Sequence, residues 1–204
     1  MPPLSGLALQ DSHRQRIITA ARKSFFMHGF RGVAMDDLAA ELGISKKTIY
    51  KHFPAKIDLL HAVAEQKIAS TMAAIEKSLA QPSRGVQEKL ARLLACVEQQ
   101  GQEIQPPWFR DVRREAPELF HRLQHRRAEI IRQSFGEVLL EGQREGAVRK
   151  EVSVGVIIEI LLGATEGLVN PSKLVDLGLT PQEGFIAVVN VVLNGVLVRR
   201  SKGA

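Results

Sequence analysis

The sequence predicts an all-α fold of about nine helices, divided into a small N-terminal domain and a larger C-terminal domain. Apolar residues recur at the three- and four-residue spacing of a helix along most of the 204-residue chain. Glycines and prolines separate these runs, as they do where one helix ends and the next begins. Positive charge is concentrated at the start: residues 1–56 hold nine Lys and Arg against four Asp and Glu, whereas the rest of the chain holds 19 against 18.

Residues 32–56 predict two short helices joined by a glycine turn. Asp36 and Asp37 stand where carboxylates stabilise the positive end of a helix dipole. Gly43 follows the first helix, at a position whose left-handed backbone favours glycine. Ser45 is a good N-cap for the second helix, and Pro54 ends it, because the residue before a proline disfavours helical geometry. Before this segment, residues 1–10 carry Pro, Gly and Leu and are expected to be a disordered tail.

The second short helix has an apolar face and a basic face. Ile49 and Phe53 are four residues apart and point inward, which leaves a polar and cationic set to face outward: Lys46, Lys47, Thr48, Tyr50, Lys51 and His52. A basic face by itself is usually only a solvated surface. Its coincidence with two short helices and a glycine turn is typical of a helix-turn-helix, whose second helix enters the DNA major groove.

Several runs at fixed offsets carry a family resemblance over about residues 14–60. They are Met35-Asp36-Asp37-Leu38-Ala39, Gly43-Ile44-Ser45 and Thr48-Ile49-Tyr50-Lys51-His52-Phe53, followed by Lys56 and Leu59-Leu60. Together they resemble the N-terminal signature of the TetR/AcrR family of bacterial transcriptional regulators. The stretch from Arg16 to Phe30 is similar to the first helix of that family and its glycine exit. Ala34 and Ala55 depart from the family pattern, which favours polar residues at both positions.

The resemblance implies a three-helix DNA-binding domain in residues 11–55 and a helical effector-binding and dimerisation domain in residues 56–204. Lys47 is the expected base contact, to guanine N7 or O6, and Lys56 resembles a phosphate clamp. Tyr50 resembles a phosphate-contacting hydroxyl, with a packing ring as its alternative role. Ala34 has no hydroxyl, so a contact beside it must come from a backbone N–H. The expected DNA-binding residues are Met35, Ser45, Lys46, Lys47, Thr48, Tyr50, Lys51, His52 and Lys56.

The C-terminal domain is expected to be helical throughout. Proline and glycine breaks divide it into helices over about 57–79, 86–97, 108–114, 116–144, 153–169 and 185–200. The last of these is rich in valine, and propensity alone would favour a strand. The family plan ends in a helix, and we therefore predict a helix there.

Small residues in the last two helices predict a close helix contact. Gly155, Glu159, Gly163 and Gly167 recur every four residues, and each interior glycine costs about 1 kcal/mol of helix stability relative to alanine. Packing within one subunit is one interpretation of this face. The resemblance implies the other, a two-fold dimer face of a four-helix bundle. The expected interface residues are Gly155, Glu159, Gly163, Gly167, Phe185, Val189, Val192 and Val196.

The resemblance also implies a pocket for a small-molecule effector in the C-terminal domain. Its expected lining is Met72, Cys96, Trp108, Phe109 and Phe120, for which the alternative role is ordinary core. Arginines at 110, 113, 114, 122, 126 and 127 predict a lattice of surface ion pairs or, alternatively, capture of an acidic effector. Glu118, His121 and His125 share one helix face, which is more often solvated than metal-binding, and we expect no metal and no cofactor.

Several classes of protein are disfavoured. The chain has no phosphate-binding glycine loop, nucleophile elbow or paired metal motif, so an enzyme is not expected. Its one cysteine fits a reducing cytoplasm, and no signal peptide or membrane span is expected. We expect a ligand-responsive repressor that binds an inverted-repeat operator as a homodimer and is released by a small molecule. The alternative is a DNA-binding protein of the same fold that answers to a protein partner or to no ligand.

Overall fold

The computed structural model describes residues 4–168 and 171–197, except for the side chains of 4–11, 171, 172 and 175. The described residues form ten helices and no strand. The helices are α1 (Leu4–His28), α2 (Met35–Glu41), α3 (Lys46–His52), α4 (Lys56–Leu79), α5 (Val86–Gly101), α6 (Pro106–Glu115), α7 (Pro117–Arg144), α8 (Val154–Leu168), α9 (Pro171–Leu177) and α10 (Pro181–Val196). None of them is long and apolar enough to cross a membrane.

The all-α prediction is confirmed, and each predicted helix has a counterpart. The short helix α9 is additional, because Pro171 begins a helix rather than only ending the one before it. The valine-rich helix α10 is confirmed, and a capping box at its start explains why it is not a strand. The Thr180 hydroxyl accepts from the Glu183 N–H at 3.2 Å, and the Glu183 carboxylate accepts from the Thr180 N–H at 2.8 Å.

Residues 4–10, within the expected disordered tail, form the first turns of α1, and the disorder itself stays a prediction. Helix α1 begins at Leu4, twelve residues before the helix start that the family pattern implied. No proline follows Pro3 until the helix has ended, and adding turns to an existing helix is far easier than starting one. Residues 1–3 lie outside the described residues.

The chain separates into two compact units whose limits differ from the expected boundary at residues 55 and 56. The first unit runs through Ser70 and also includes Glu103–Leu123, and the second contains Thr71–Gln102 and the residues from Gln124 onward. Helix α6 belongs to the first unit because it packs on α1. The Trp108 ring meets the Phe26 ring edge-on at 4.7 Å, and the Gln105 N–H donates to the Phe26 carbonyl at 3.0 Å.

Each unit has its own apolar core. In the first unit, Phe25 and Phe26 of α1 are fully buried together with Ile49 of α3 and Leu59 of α4. In the second unit, helices α5, α7, α8 and α10 contribute the core, with fully buried Leu93, Phe135, Leu139, Leu161 and Val189. Burying side chains of this size contributes about 1.5–3 kcal/mol each, and the first core thereby fixes the position of α3.

Candidate nucleic-acid interface

The turn between α2 and α3 has the geometry that its sequence predicts. Gly43 has φ +64°, a left-handed conformation that favours glycine. The Gly43 N–H donates to the Ala40 carbonyl at 3.1 Å, and the Ile44 N–H donates to the Ala39 carbonyl at 3.0 Å. These bonds satisfy the last carbonyls of α2 and turn the chain sharply into α3.

Helix α3 is held by a cap at its start and by two buried side chains. The Ser45 hydroxyl accepts from the Thr48 N–H at 3.1 Å, as predicted for an N-cap. Ile49 and Phe53 are buried in the first core, and Phe53 ends the helix just before Pro54. The opposite face of α3 is therefore presented to solvent in a fixed orientation.

The exposed face of α3 carries four of the expected DNA contacts as accessible side chains: Lys46, Lys47, Tyr50 and Lys51. The Lys46 ammonium donates to the Asp36 carboxylate at 2.6 Å, and this hydrogen bond raises the pKa of Lys46. Lys47 makes no ion pair with any residue that the structure describes. Tyr50 is 44% exposed and is not a packed ring. The two other expected contacts on α3, Thr48 and His52, are partly buried.

Two of the expected contacts lie differently. The Met35 side chain is buried in the first core, so a contact of this residue with DNA would have to come from its backbone. The Lys56 ammonium lies over the Phe30 ring at 4.4 Å and over the Phe25 ring at 5.9 Å, and the side chain is partly buried. Burial lowers the pKa of Lys56, against the raising effect of Asp111 and Glu115. Lys56 thus has a structural contact with these rings, and its phosphate contact stays a prediction.

A buried carboxylate behind the helix-turn-helix escaped the sequence analysis. Asp111 of α6 is almost fully buried; it accepts from the Arg31 N–H at 2.9 Å and from the Arg110 Nε–H at 3.0 Å. It also lies over Gly29, which has φ +79° and where an added Cβ would come within 2.5 Å of Asp111 Oδ2. Asp111 therefore fixes the turn that leads from α1 to α2. In the sequence, the only indication of this role is that Asp111 is an acidic residue within an arginine-rich helix.

The expected dimer residues divide into an exposed set and a buried set. An added Cβ at Gly155, Gly163 or Gly167 would meet nothing within 4 Å, so this face of α8 is open. Glu159 lies on the same face, and its carboxylate accepts from Arg132 at 3.1 Å. Apolar neighbours on the face are strongly exposed: Val156 at 50%, Ile160 at 53% and, on α10, Val191 at 75%.

The prediction that Phe185 and Val189 face a partner is wrong for this chain, because both are buried in the second core. Val192 and Val196 are partly buried against the same core. Asn190 and Asn194, four residues apart, mark the exposed face of α10, but valines on both sides of them leave the core face poorly marked in the sequence. The exposed face carries Ala187, Asn190, Val191, Asn194 and Gly195.

The five residues expected to line an effector pocket belong to different units. Trp108, Phe109 and Phe120 pack in or against the first core, whereas Cys96 packs against the second. Met72, in the second unit, has its sulfur 3.8 Å from the Arg126 guanidinium. An open groove of about 530 Å³ lies elsewhere in the second unit, and none of the five lines it. Its lining is Leu79, Gln81, Pro82, Ser83, Arg84, Gly85, Lys89, Glu141 and Glu145.

The arginine-rich segment is mostly a set of local pairs, as the first of its two interpretations predicts. Arg110 pairs with Asp111, Arg114 with Glu115 and Arg126 with Glu129. Arg127 differs: its guanidinium lies over the Phe185 ring at 5.1 Å, and burial lowers its pKa to about 10. On the neighbouring face, the His125 ring pairs with Glu129 at 3.3 Å. Among the described residues, no three His, Cys, Asp or Glu side chains form a metal-binding group.

Comparison with known sequences identifies the helix-turn-helix. The profile of the family described as "Bacterial regulatory proteins, tetR family" matches residues 17–63, which span most of α1, all of α2 and α3 and the start of α4. The HTH-type transcriptional activator FasR of Mycolicibacterium smegmatis is 29% identical over 89 residues, which are 44% of this chain and 39% of that protein. The chain thus matches less than half the length of this relative.

Two further comparisons extend over nearly the whole chain. The HTH-type transcriptional repressor DhaR of Mycobacterium sp. strain GP1 is 23% identical over 189 residues, covering 86% of this chain and 89% of that protein. The crystal structure of a TetR transcriptional regulator from Chloroflexus aurantiacus superposes with a TM-score of 0.67 at 20% identity, over 94% of this chain and all of that one. The second unit therefore has the fold of these regulators as well.

Proposed function

Because the chain belongs to the TetR family of bacterial transcriptional regulators, we propose that it is a ligand-responsive repressor that binds an inverted-repeat operator as a homodimer. A small molecule bound to the C-terminal helices releases it from DNA. Members of the family are DNA-binding regulators and not enzymes, and the same holds for this chain.

The observation that carries the proposal is the exposed face of α3. Its three lysines point away from a buried Ile49 and Phe53, on a helix whose start is fixed by Ser45. Lys47 is an exposed cation without an ion-pair partner among the described residues, as Lys51 is, and Lys47 stands in the first turn, where recognition helices contact base edges. Phosphate contacts from its neighbours would make binding depend on salt.

The homodimer is supported by the exposed faces of α8 and α10. Three glycines and the side chains of Val156, Ile160 and Val191 leave an apolar surface with room for a closely approaching helix. Large exposed apolar patches are typical of interaction sites. A second copy of the chain is the partner that the family implies, and a two-fold pair would place its recognition helices on two half-sites.

The proposals of repression and of a small-molecule effector are based on the family and not on any single residue of this chain. DhaR is named a repressor and FasR an activator, and the longer match is with DhaR. The second candidate function, control by a protein partner or by no ligand, is favoured by the division of the five expected pocket residues between two cores.

The proposal is tested by recovering genomic fragments on the purified full-length protein and sequencing them. We expect an inverted repeat, protected on both half-sites, whose binding weakens steeply between low and moderate salt. A thermal-shift screen of lipophilic acids and their neutral analogues then separates the two candidates, because only an effector-controlled regulator yields compounds that raise the melting temperature and release DNA. Recovery of no enriched fragment would contradict the proposal.

A further inference from the structure

Arg127 of α7 is a partly buried arginine without an acidic partner. Its guanidinium lies over the Phe185 ring of α10 at 5.1 Å, and no ion pair or hydrogen bond joins it to any residue that the structure describes. Burial lowers the pKa of Arg127 to about 10, which still leaves the side chain charged at neutral pH. A guanidinium has five N–H donors, and contact with an aromatic ring provides none of them with an acceptor.

The two carboxylates closest in sequence to this contact are engaged elsewhere. Glu129 on α7 accepts from Arg126 at 2.6 Å and pairs with the His125 ring at 3.3 Å. Glu183 on α10 accepts from the Thr180 N–H and hydroxyl in the capping box. Both acids therefore serve local structure and leave the neighbouring guanidinium unpaired.

No other acidic side chain of the second unit takes their place. Of the 22 Asp and Glu residues in the sequence, only Asp11 has a side chain outside the described set, and Asp11 belongs to the first unit. Every acidic side chain of the second unit is thus described, and none pairs with Arg127. The anion that would complete this site is not a side chain of the second unit.

The surroundings of the guanidinium are apolar. Ile131 follows Arg127 by four residues, so the two share one face of α7. Val189 is related to Phe185 in the same way on α10, and both Ile131 and Val189 are buried in the second core. The guanidinium is nevertheless not sealed from solvent, because Arg92 Nε is the one fully buried side-chain nitrogen or oxygen without a partner among the described residues. A ligand can therefore reach it.

We propose that Arg127 binds the carboxylate of a small apolar organic acid, whose apolar part packs against Phe185 at the edge of the second core. One carboxylate accepts two parallel N–H bonds from a guanidinium and matches its single charge. A phosphate ester carries about two negative charges and would need a second cation, whereas the adjacent Arg126 is already paired with Glu129. This inference rests on the effector control of the proposed function and names the chemical class of the effector and the residue that holds it.

The position of the site connects it with the proposed dimer surface. Helix α10 presents Phe185 to the second core and Val191 to solvent on its exposed face. An acid packed against Phe185 thus acts on the helix that carries part of the dimer surface. It changes DNA binding only if it binds the two forms of the protein with different affinity.

The experiment measures the melting temperature of the full-length protein with hexanoate, decanoate or phenylacetate, and with the neutral amides of the same acids. We expect at least one acid to raise the melting temperature and its amide not to do so, since the amide carries no charge. Titration calorimetry then gives the affinity for that acid. Arg127→Gln should lower it by about tenfold to a hundredfold, and Arg127→Lys should also lower it, because an ammonium lacks the planar fork.

Two further variants distinguish this role from general charge and from structure. Arg126→Gln is the matched control, since Arg126 is the adjacent arginine and pairs with Glu129; it should keep the affinity for the acid. Arg127→Met tests the protein without a ligand. We expect its melting temperature to be unchanged or higher, because an unpaired, partly buried charge opposes folding. A lower melting temperature with undiminished acid binding would assign Arg127 a structural role through Phe185 instead. Circular dichroism checks that each variant is folded.

The failure of this inference is distinguishable from that of the proposed function. Equal stabilisation by acids and amides, binding of none of the acids, or undiminished binding to Arg127→Gln would overturn the inference. DNA binding of the wild-type protein is measured in parallel without any compound, and its absence would contradict the proposed function. An acid that binds through Arg127 is expected to weaken DNA binding; if the affinity for DNA does not change, the acid site stands and its role as effector is wrong.

Discussion

The exposed faces of α3 and α8 are both short stretches of helix open to solvent, yet their chemistry is opposite. The face of α3 carries Lys46, Lys47 and Lys51, while that of α8 carries Val156 and Ile160 between glycines. Exposed lysines are well hydrated, whereas removing exposed valine and isoleucine side chains from water lowers the free energy of the system. On the proposed function, the two faces would meet two kinds of partner: a polyanion at α3 and the apolar face of a second copy at α8.

The largest expected effect tests the apolar face. Ile160→Glu places a carboxylate at the centre of the proposed dimer surface, where burial of an unpaired charge costs several kcal/mol. We expect the dimer to dissociate at micromolar concentration in sedimentation velocity, with affinity for an inverted repeat lowered by about a hundredfold or more. Met27→Glu is the matched control, since Met27 is also exposed but lies on α1. A dimer that survives Ile160→Glu would mean that this face does not form the interface.

The second effect tests the scaffold behind α3. Gly29→Ala combines a left-handed backbone with a Cβ that collides with Asp111, whereas Gly43→Ala meets only the backbone strain. We expect Gly29→Ala to destabilise the protein by about 2–4 kcal/mol and Gly43→Ala by about 1–2 kcal/mol. Chemical denaturation of the two variants measures the difference. Equal losses would show that the carboxylate moves aside without cost.

A third effect divides the lysines of the basic surface. Lys47→Ala should reduce the preference for operator over random duplex by about 1–3 kcal/mol, because it removes a base contact. Lys56→Ala should weaken binding to both duplexes alike, and it should also lower the melting temperature through loss of the Phe30 contact. Parallel titrations with operator and random duplex separate the two. If the variants lose preference equally, the assigned roles are wrong.

The smallest effect asks whether the glycines of α8 serve close packing. In an open helix, Gly163→Ala would stabilise folding by about 1 kcal/mol. At a tight interface the added methyl separates the two helices, so we expect the dimer to dissociate several-fold more readily despite the better helix. Gly136→Ala on α7 is the matched control, because its Cβ also meets nothing within 4 Å. Tighter dimerisation of Gly163→Ala would argue against close helix approach.

The two surfaces also differ in how far their sequences predict them. Gly43, Ser45 and Pro54 act within a few residues of themselves, so the turn and the cap of α3 follow from local rules. The core and exposed faces of α10 depend on which neighbours cover Phe185 and Val191, and in a helix with valines on both sides Asn190 and Asn194 give only a weak local signal. Asp111 bonds to a backbone N–H 80 residues away, and no short-range pattern specifies such a pair.

The hydrogen bond from Lys46 to Asp36 bears on the proposed binding to DNA. In the free protein this lysine already has an anionic acceptor, so any duplex that recruits it must displace the carboxylate first. DNA of random sequence provides only phosphate oxygens as acceptors. Exchanging the Asp36 carboxylate for a phosphate therefore gains little binding free energy. On the proposed function, this internal acceptor would lower the affinity for DNA of random sequence and so leave the protein free to move along it.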